Sequence, residues 1–172
     1  MSGAVQLRRA VPADAAAIAG IGVRAWHHAY ADFLDPRALA ERTVASQLPA
    51  WERRLAPDAP GETWVAEAAG RVVAYASVGA SADGDSTAVT GALERLYVDP
   101  PAQGAGVGGL LHGRAIGRLA ALGFATATLW SFAENEQARV FYEHREWVLD
   151  PSGAWQEDPD WAEPAVRYRR EL

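Results

Sequence analysis

Two kinds of spacing between apolar residues divide the chain into predicted strands and helices. Residues 93–98 are apolar, β-branched or aromatic at most positions, and Asp99-Pro100-Pro101 ends them, which predicts a strand. After a run of glycines, apolar residues recur every three or four positions and predict a helix with one apolar face, at Leu110, Leu111, Ala115, Leu119 and Leu122. Gly123 stands where the C-terminus of that helix is expected.

Similar patterns before and after this segment predict the remaining elements. In chain order they are a strand over residues 5–9, a helix that begins at Pro12, a helical stretch over 36–55, a hairpin over 62–78, a strand that ends at Ser131, a helix that contains Phe141, and strands over 147–149 and 165–170. We expect Pro49 to interrupt the second helical stretch and Ala68-Ala69-Gly70 to form the hairpin turn. Residues 1–172 therefore predict a single α/β domain, with a mixed sheet covered by helices on both faces.

A glycine-rich loop, from Gln103 to Gly109, lies between the strand and the helix, where helix N-terminal amides favour an anion. The glycines fit the dinucleotide pattern G-x-G-x-x-G, but five residues separate the strand from Gly104, and no acidic residue ends the next strand. No Gly-Lys-Ser/Thr follows, which argues against an NTPase phosphate loop. The pattern Q-x-x-G-x-G, from Gln103 to Gly108, fits the neighbouring elements on both sides.

Three motifs in order resemble the GNAT superfamily of N-acetyltransferases. They are LERLYVDP over residues 93–100, QGAGVG over 103–108, and Asn135-x-x-Ala138-x-x-Phe141-Tyr142-Glu143. The resemblance implies a central, mostly antiparallel sheet of six to seven strands, and acetyl-CoA as the acetyl donor. Two residues depart from the family pattern: Ala105 stands where the loop is often basic, and Glu146 stands where the family usually has glycine.

The resemblance also implies which residues bind coenzyme A. The pyrophosphate is expected on the amides of the glycine loop, where a helix dipole favours negative charge by about 0.3–1 kcal/mol when exposed. The pantetheine arm is expected along the strand edge at residues 96–98, and Asn135 contacts it or only caps the second helix. The implied cofactor set is Leu96, Tyr97, Val98, Gln103, Gly104, Ala105, Gly106, Val107, Gly108, Gly109, Asn135, Ala138, Phe141 and Tyr142.

Two side chains are the catalytic candidates for acetyl transfer to an amine. The resemblance assigns Tyr142 as the general acid for the leaving thiolate, with core packing as the alternative. By resemblance, family members often place the carboxylate base at the position of Ala92. Glu94, two residues on, is the candidate here, because strand alternation predicts that it shares a face with Ala92, Leu96 and Val98. The alternatives are an ion pair of Glu94 with Arg95 or Arg114, and His27, His28 or a water chain as the base.

The acceptor side is less defined. By resemblance, Trp26, Tyr30 and Glu94 contact the acceptor, a primary amine of a small molecule or peptide, although core packing also explains the two aromatics. The loops over residues 31–36, 81–90 and 150–164 are expected to shape its pocket. A second hypothesis is an acyl-CoA-binding module without catalysis, and a dinucleotide-binding domain ranks third.

Composition and net charge argue against several other classes of site. The chain has no cysteine, which excludes thiol nucleophiles, and neither His112 nor His144 has a second ligand at metal spacing, so no metal site is predicted. A net charge of −6 argues against nucleic-acid binding. Short apolar runs and the lack of a signal-peptide core predict a cytoplasmic protein without a membrane partner. The sequence leaves the oligomeric state open, with a homodimer among the alternatives.

Overall fold

A computed structural model describes residues 4–153, 156–157 and 164–172. Five helices and eight strands lie in these ranges, together with short 3-10 turns. In chain order they are β1 (Gln6–Arg9), α1 (Ala15–Tyr30), α2 (Pro36–Glu41), α3 (Val44–Arg54), β2 (Glu62–Ala68), β3 (Arg71–Ala80), β4 (Thr90–Val98), α4 (Val107–Ala121), β5 (Thr126–Phe132), α5 (Glu136–Glu143), β6 (Val148–Leu149), β7 (Gln156–Glu157) and β8 (Pro164–Glu171).

The strands form one mixed sheet in the order β1-β2-β3-β4-β5-β8-β6, and the two-residue β7 also pairs with β8. Within the described part of the chain, every pairing is antiparallel except that of β4 with β5. The prediction of a mixed, mostly antiparallel sheet is therefore confirmed. The β2–β3 turn uses Ala69 and Gly70, whose φ angles of 50° and 74° are both positive, as a two-residue hairpin turn requires.

Helices cover both faces of the sheet. Alternate residues of β3 separate two cores: Tyr75 packs with Trp51 of α3 and Ile18 of α1, whereas Ala74 packs with Leu111 of α4. The apolar stripe of α4 is narrower than predicted, because Leu111, Ala115 and Leu119 are buried, while Leu110 is 52% exposed and Leu122 is 45% exposed. Gly123 follows the helix with a φ of 91°, as expected at a helix C-terminus.

The predicted break near Pro49 is wrong. The helical stretch divides instead at Arg42 and Thr43, and Pro49 lies inside α3. Thr43 begins α3 as its N-cap, since its hydroxyl accepts a hydrogen bond from Ser46 N at 3.1 Å. The helix boundary is therefore set by the cap at Thr43, and α3 tolerates the loss of the backbone hydrogen bond that Pro49 cannot donate. No helix in the described ranges is long and apolar enough to cross a membrane.

Candidate active site

A cleft opens where the parallel strands β4 and β5 separate. The two strands pair only from Thr90 to Ala92 on β4, opposite Thr126 to Thr128 on β5. Beyond these residues they diverge and leave a cleft of about 470 Å³. The backbone edge of β4 from Leu93 onward therefore lacks a neighbouring strand on its β5 side and can pair with an extended ligand. The prediction that the pantetheine arm lies along residues 96–98 fits this geometry.

A β-bulge changes the face that Glu94 occupies. Val78 pairs with Leu93 and Ser77 pairs with Arg95, so Glu94 is an extra residue in β4. Leu93, Leu96 and Val98 pack with the α4 core, whereas Glu94 bonds to Arg54 of α3 on the other face. The prediction that Glu94 shares a face with Leu96 and Val98 is therefore wrong, because a bulge interrupts strand alternation. Glu94 nevertheless lines the cleft.

The glycine loop forms one end of the cleft. Gly104 and Gly106 have φ angles of 78° and 80°, and no atom lies within 4 Å of the position that a Cβ would take on either residue. Gly106 precedes α4, and its carbonyl accepts the hydrogen bond of Leu110 N–H at 3.2 Å. Amides before Leu110 have no carbonyl within the helix to pair with. The loop thus combines unpaired N–H groups with open space, which suits a phosphate.

Tyrosine side chains from three elements line the cleft. They are Tyr30 of α1, Tyr97 of β4 and Tyr142 of α5. Burial, followed by the neighbouring Tyr97, raises the pKa of Tyr142 and also raises the pKa of Tyr30. Both side chains therefore remain protonated phenols at neutral pH. Asn135 Oδ1 accepts from Ala138 N at 3.1 Å and caps α5, and its Nδ2 donates to Tyr30 Oη at 3.5 Å.

The carboxylate of Glu94 is held by two guanidinium groups. Its Oε2 accepts from Arg54 Nη1 at 2.5 Å and from Arg95 Nη1 at 3.3 Å. Of the predicted partners, Arg95 is present, but Arg114 instead lies 4.8 Å above the Trp64 ring on the other face. The other base candidates, His27 and His28, are exposed on α1 and do not line the cleft.

The loop between β3 and β4 contacts β5, which forms one wall of the cleft. Asp83 accepts from Trp130 Nε1 at 2.8 Å and from Thr128 Oγ1 at 2.9 Å, which orients an indole that lines the cleft. The buried Arg167 bonds to Asp85 at 2.6 Å and to Asp150 at 3.0 Å. In the described part of the chain, the loops over residues 31–36 and 81–90 contribute no lining residue, contrary to prediction. Most of the loop over residues 150–164 lies outside the described residues.

Comparison with known proteins assigns the family. A model described as the acetyltransferase (GNAT) family matches residues 23–147, which is most of the chain. The chain belongs to the GNAT family of acetyltransferases.

Solved structures similar to this GNAT protein share its fold over nearly their whole length. The PaiA N-acetyltransferase of Thermoplasma acidophilum, solved with coenzyme A, has a TM-score of 0.75 at 14% identity and covers 98% of this chain and 99% of its own. The protein yncA of Salmonella typhimurium, solved with its cofactor acetyl-CoA, has a TM-score of 0.73 at 23% identity, covering 99% and 95%. A ribosomal-protein-alanine N-acetyltransferase of Brucella melitensis has a TM-score of 0.73 at 20% identity, covering 97% and 99%. No curated protein sequence matches the chain.

The GNAT assignment confirms acetyl-CoA as the cofactor, and the cleft fits it. All predicted site residues except Ala105 line the one cleft, so the fold brings together segments that are far apart in sequence. Ala105 is exposed at the tip of the loop. The wall also contains large residues that the sequence did not assign to the site, among them Arg95, Trp130, Phe132 and Arg145. The sequence named Arg95 only as an ion-pair partner of Glu94.

The turn after α5 carries backbone strain at Glu146, one of the departures from the family pattern. Glu146 has a φ of 65°, the left-handed conformation that glycine adopts readily. Its carboxylate accepts from Arg170 Nη2 at 2.8 Å. The turn directs Trp147 back into the core, where its indole N–H donates to His112 Nε2 at 2.9 Å. The strained turn at Glu146 thus places Trp147 in the core, where it is 2% exposed.

Proposed function

We propose that this GNAT protein transfers acetyl from acetyl-CoA to a primary amine of a small molecule or peptide, by direct attack in a ternary complex. One observation carries the proposal: the glycine loop, Tyr142 and Glu94 line a single cleft. Since the chain has no cysteine, no thiol can carry the acetyl group between donor and acceptor. Attack by the amine itself is the simplest remaining route.

The glycine loop and the edge of β4 would hold the cofactor, which supplies the acetyl group as a reactive thioester. Amides of the glycine loop bind the pyrophosphate, and the edge of β4 at residues 96–98 pairs with the pantetheine arm. Ala138 and Phe141 of α5 flank that arm on the α4 side of the sheet. Trp26 and Tyr30 of α1 form the wall that the acceptor approaches.

Tyr142 is the proposed general acid. As the C–N bond to the acetyl carbon forms and the C–S bond breaks, the phenol donates its proton to sulfur. Burial raises the pKa of Tyr142, so the proton is present at neutral pH. Tyr142 is only 9% exposed, so its side chain is largely shielded from bulk water.

Glu94 is the proposed base. An amine with a pKa of about 10.4 is neutral in only about one molecule in 2,500 at pH 7, a deficit of roughly 4–5 kcal/mol. A positioned base typically raises the rate about 10²–10⁴-fold, which offsets part of this deficit. Since Arg54 and Arg95 both bond to Oε2, the proton passes to Oε1, directly or through one water.

The same ion pairs favour a second candidate function, acyl-CoA binding without catalysis. A carboxylate locked between two guanidinium groups is suited to a structural role, and Ala92 stands where many family members have the base. This alternative predicts cofactor binding with no acetylated amine.

A kinetic experiment with matched tyrosine variants tests the proposal. We expect Tyr142→Phe to lower kcat about 10²-fold or more and to change the Kd for acetyl-CoA far less, because the ring that lines the cleft is kept and only the proton donor is lost. Tyr75→Phe is the control, because Tyr75 is buried but does not line the cleft. Double-reciprocal plots with both substrates varied should intersect, as for a ternary complex. Equal activity of the two variants, or mass spectrometry that finds acetylated protein, would contradict the proposal.

A further inference from the structure

Arg145 brings a positive charge close to the N-terminus of α4. Its guanidinium lines the cleft next to the first turn of α4, with Nη2 only 3.2 Å from the position that a Cβ on Gly109 would take. The N-terminus of a helix carries partial positive charge and repels a cation. A guanidinium at this position becomes favourable when a negative group lies between it and the helix amides.

The protein holds Arg145 in this position with two contacts. Arg145 Nη1 donates to the carbonyl oxygen of Phe141 at 2.9 Å, and Cζ lies 3.8 Å from the centroid of the Phe141 ring. These contacts restrain the guanidinium, and its Nη2 lies 3.2 Å from the position that a Cβ on Gly109 would take. The side chain is therefore pre-organised, which reduces the entropy lost when a ligand binds.

No acidic side chain neutralises Arg145 among the residues that the structure describes. The two nearest acids along the chain have other partners: Glu143 accepts from Tyr168 Oη at 2.6 Å, and Glu146 accepts from Arg170 at 2.8 Å. In the same part of the chain, the charged residues that line the cleft are Glu94, Arg95 and Arg145. Glu94 and Arg95 already bond to each other, whereas Arg145 has no carboxylate partner.

Gly109 makes this arrangement possible. It has no positive φ, so backbone conformation does not require glycine there. A side chain at this position would instead meet the guanidinium of Arg145. The loop itself provides no cation, because Ala105 stands where a basic residue is common in the family.

We propose that Arg145 binds a phosphate of coenzyme A and takes the place of the basic side chain that the loop lacks at Ala105. The inference rests on the cofactor site described above. The phosphate is either the pyrophosphate on the loop amides or the 3′-phosphate of the ribose, and both present the same oxygens to a guanidinium. Arg145 is thus a cofactor-binding residue supplied by the segment after α5.

Calorimetric titration of coenzyme A, 3′-dephospho-coenzyme A and pantetheine tests this assignment. We expect Arg145→Gln to weaken coenzyme A binding about 10- to 100-fold, the range for a charge-assisted hydrogen bond, and to leave pantetheine binding unchanged. Arg53→Gln is the control, because it removes the same charge from an exposed site on α3. Adding Ala105→Arg to Arg145→Gln should recover part of the lost affinity.

The ligand series identifies the phosphate. If Arg145 contacts the 3′-phosphate, the variant will bind coenzyme A and its dephospho form equally well. If it contacts the pyrophosphate, the variant will lose affinity for both by the same factor. Coenzyme A binding as tight as in the natural protein, or an equal loss of pantetheine binding, would overturn the proposal. Failure of the natural protein to bind coenzyme A would instead refute the cofactor site itself.

Discussion

A buried histidine on α4 makes the stability of the fold depend on pH. His112 is 6% exposed, and its Nε2 accepts the hydrogen bond of Trp147 Nε1 at 2.9 Å, so this nitrogen carries no proton. Burial, followed by the positive charges of Arg170 and Arg145, lowers the pKa of His112 from 6.5 to about 4. The unfolded chain therefore binds a proton at His112 more tightly than the folded protein does.

The size of the change in the free energy of unfolding follows from the difference between the folded and unfolded pKa of His112. Because the folded pKa lies below the unfolded value, the contribution of neutral His112 is complete above pH 6.5 and is lost as the pH falls toward 4. Relative to pH 7, the free energy of unfolding should fall by about 1 kcal/mol at pH 5.5 and by about 2.5 kcal/mol at pH 4.5. Ion-paired carboxylates such as Asp14, whose pKa is lowered chiefly by the hydrogen bond from Arg8, lose their contribution only below about pH 4.

Urea unfolding at pH 7, 5.5 and 4.5 measures this dependence. His112→Gln should remove most of it, because the glutamine carbonyl can accept from Trp147 but does not titrate. His144→Gln is the control, since His144 is exposed on the segment after α5 and should leave the pH profile unchanged. An equal free energy of unfolding at all three pH values, or the same loss in His112→Gln, would refute the reasoning.

Three further substitutions probe the turn, the core and the proposed base. Glu146→Gly should stabilise the protein by about 1 kcal/mol in urea unfolding, because relief of the left-handed conformation outweighs the exposed ion pair with Arg170. Gly91→Ala should destabilise it by about 1–3 kcal/mol in the same assay, because the new Cβ would lie 2.8 Å from Leu119 Cδ2. Glu94→Gln should lower kcat about 10²-fold or more with the Kd for acetyl-CoA unchanged. A destabilised Glu146→Gly, an unchanged Gly91→Ala or a fully active Glu94→Gln would each contradict its argument.

The sequence carried enough local information to predict the strand, loop and helix around the glycines. Pro100 ends β4, the glycines allow the loop, and Gly123 ends α4, so each boundary has a residue that causes it. The family resemblance then predicted the cofactor site, because the motifs that carry the resemblance are short and continuous in sequence.

The features of the site that the sequence did not predict depend on contacts between residues far apart in the chain. The bulge at Glu94 has no residue signal, because it arises from the register of β4 against β3. The partner of Glu94, Arg54, is 40 residues away on α3. Likewise, the position of Arg145 over Gly109 depends on how the segment after α5 packs against α4. Local patterns do not encode such contacts, so the face of Glu94 was predicted wrongly and Arg145 was missed.

The most direct test of the account is mass spectrometry of a panel of amines after incubation with acetyl-CoA, using the natural protein, Gly108→Asp and Gly108→Asn. A Cβ on Gly108 would lie 3.4 Å from Val98 Cγ2 and 3.6 Å from Phe141 Cε2, so either variant should fold. An aspartate in the first turn favours the free helix but repels a phosphate. We predict an N-acetylated amine with the natural protein, no product with Gly108→Asp, and reduced product with Gly108→Asn. Binding of acetyl-CoA by the natural protein with no acetylated amine in the panel would contradict the enzyme assignment.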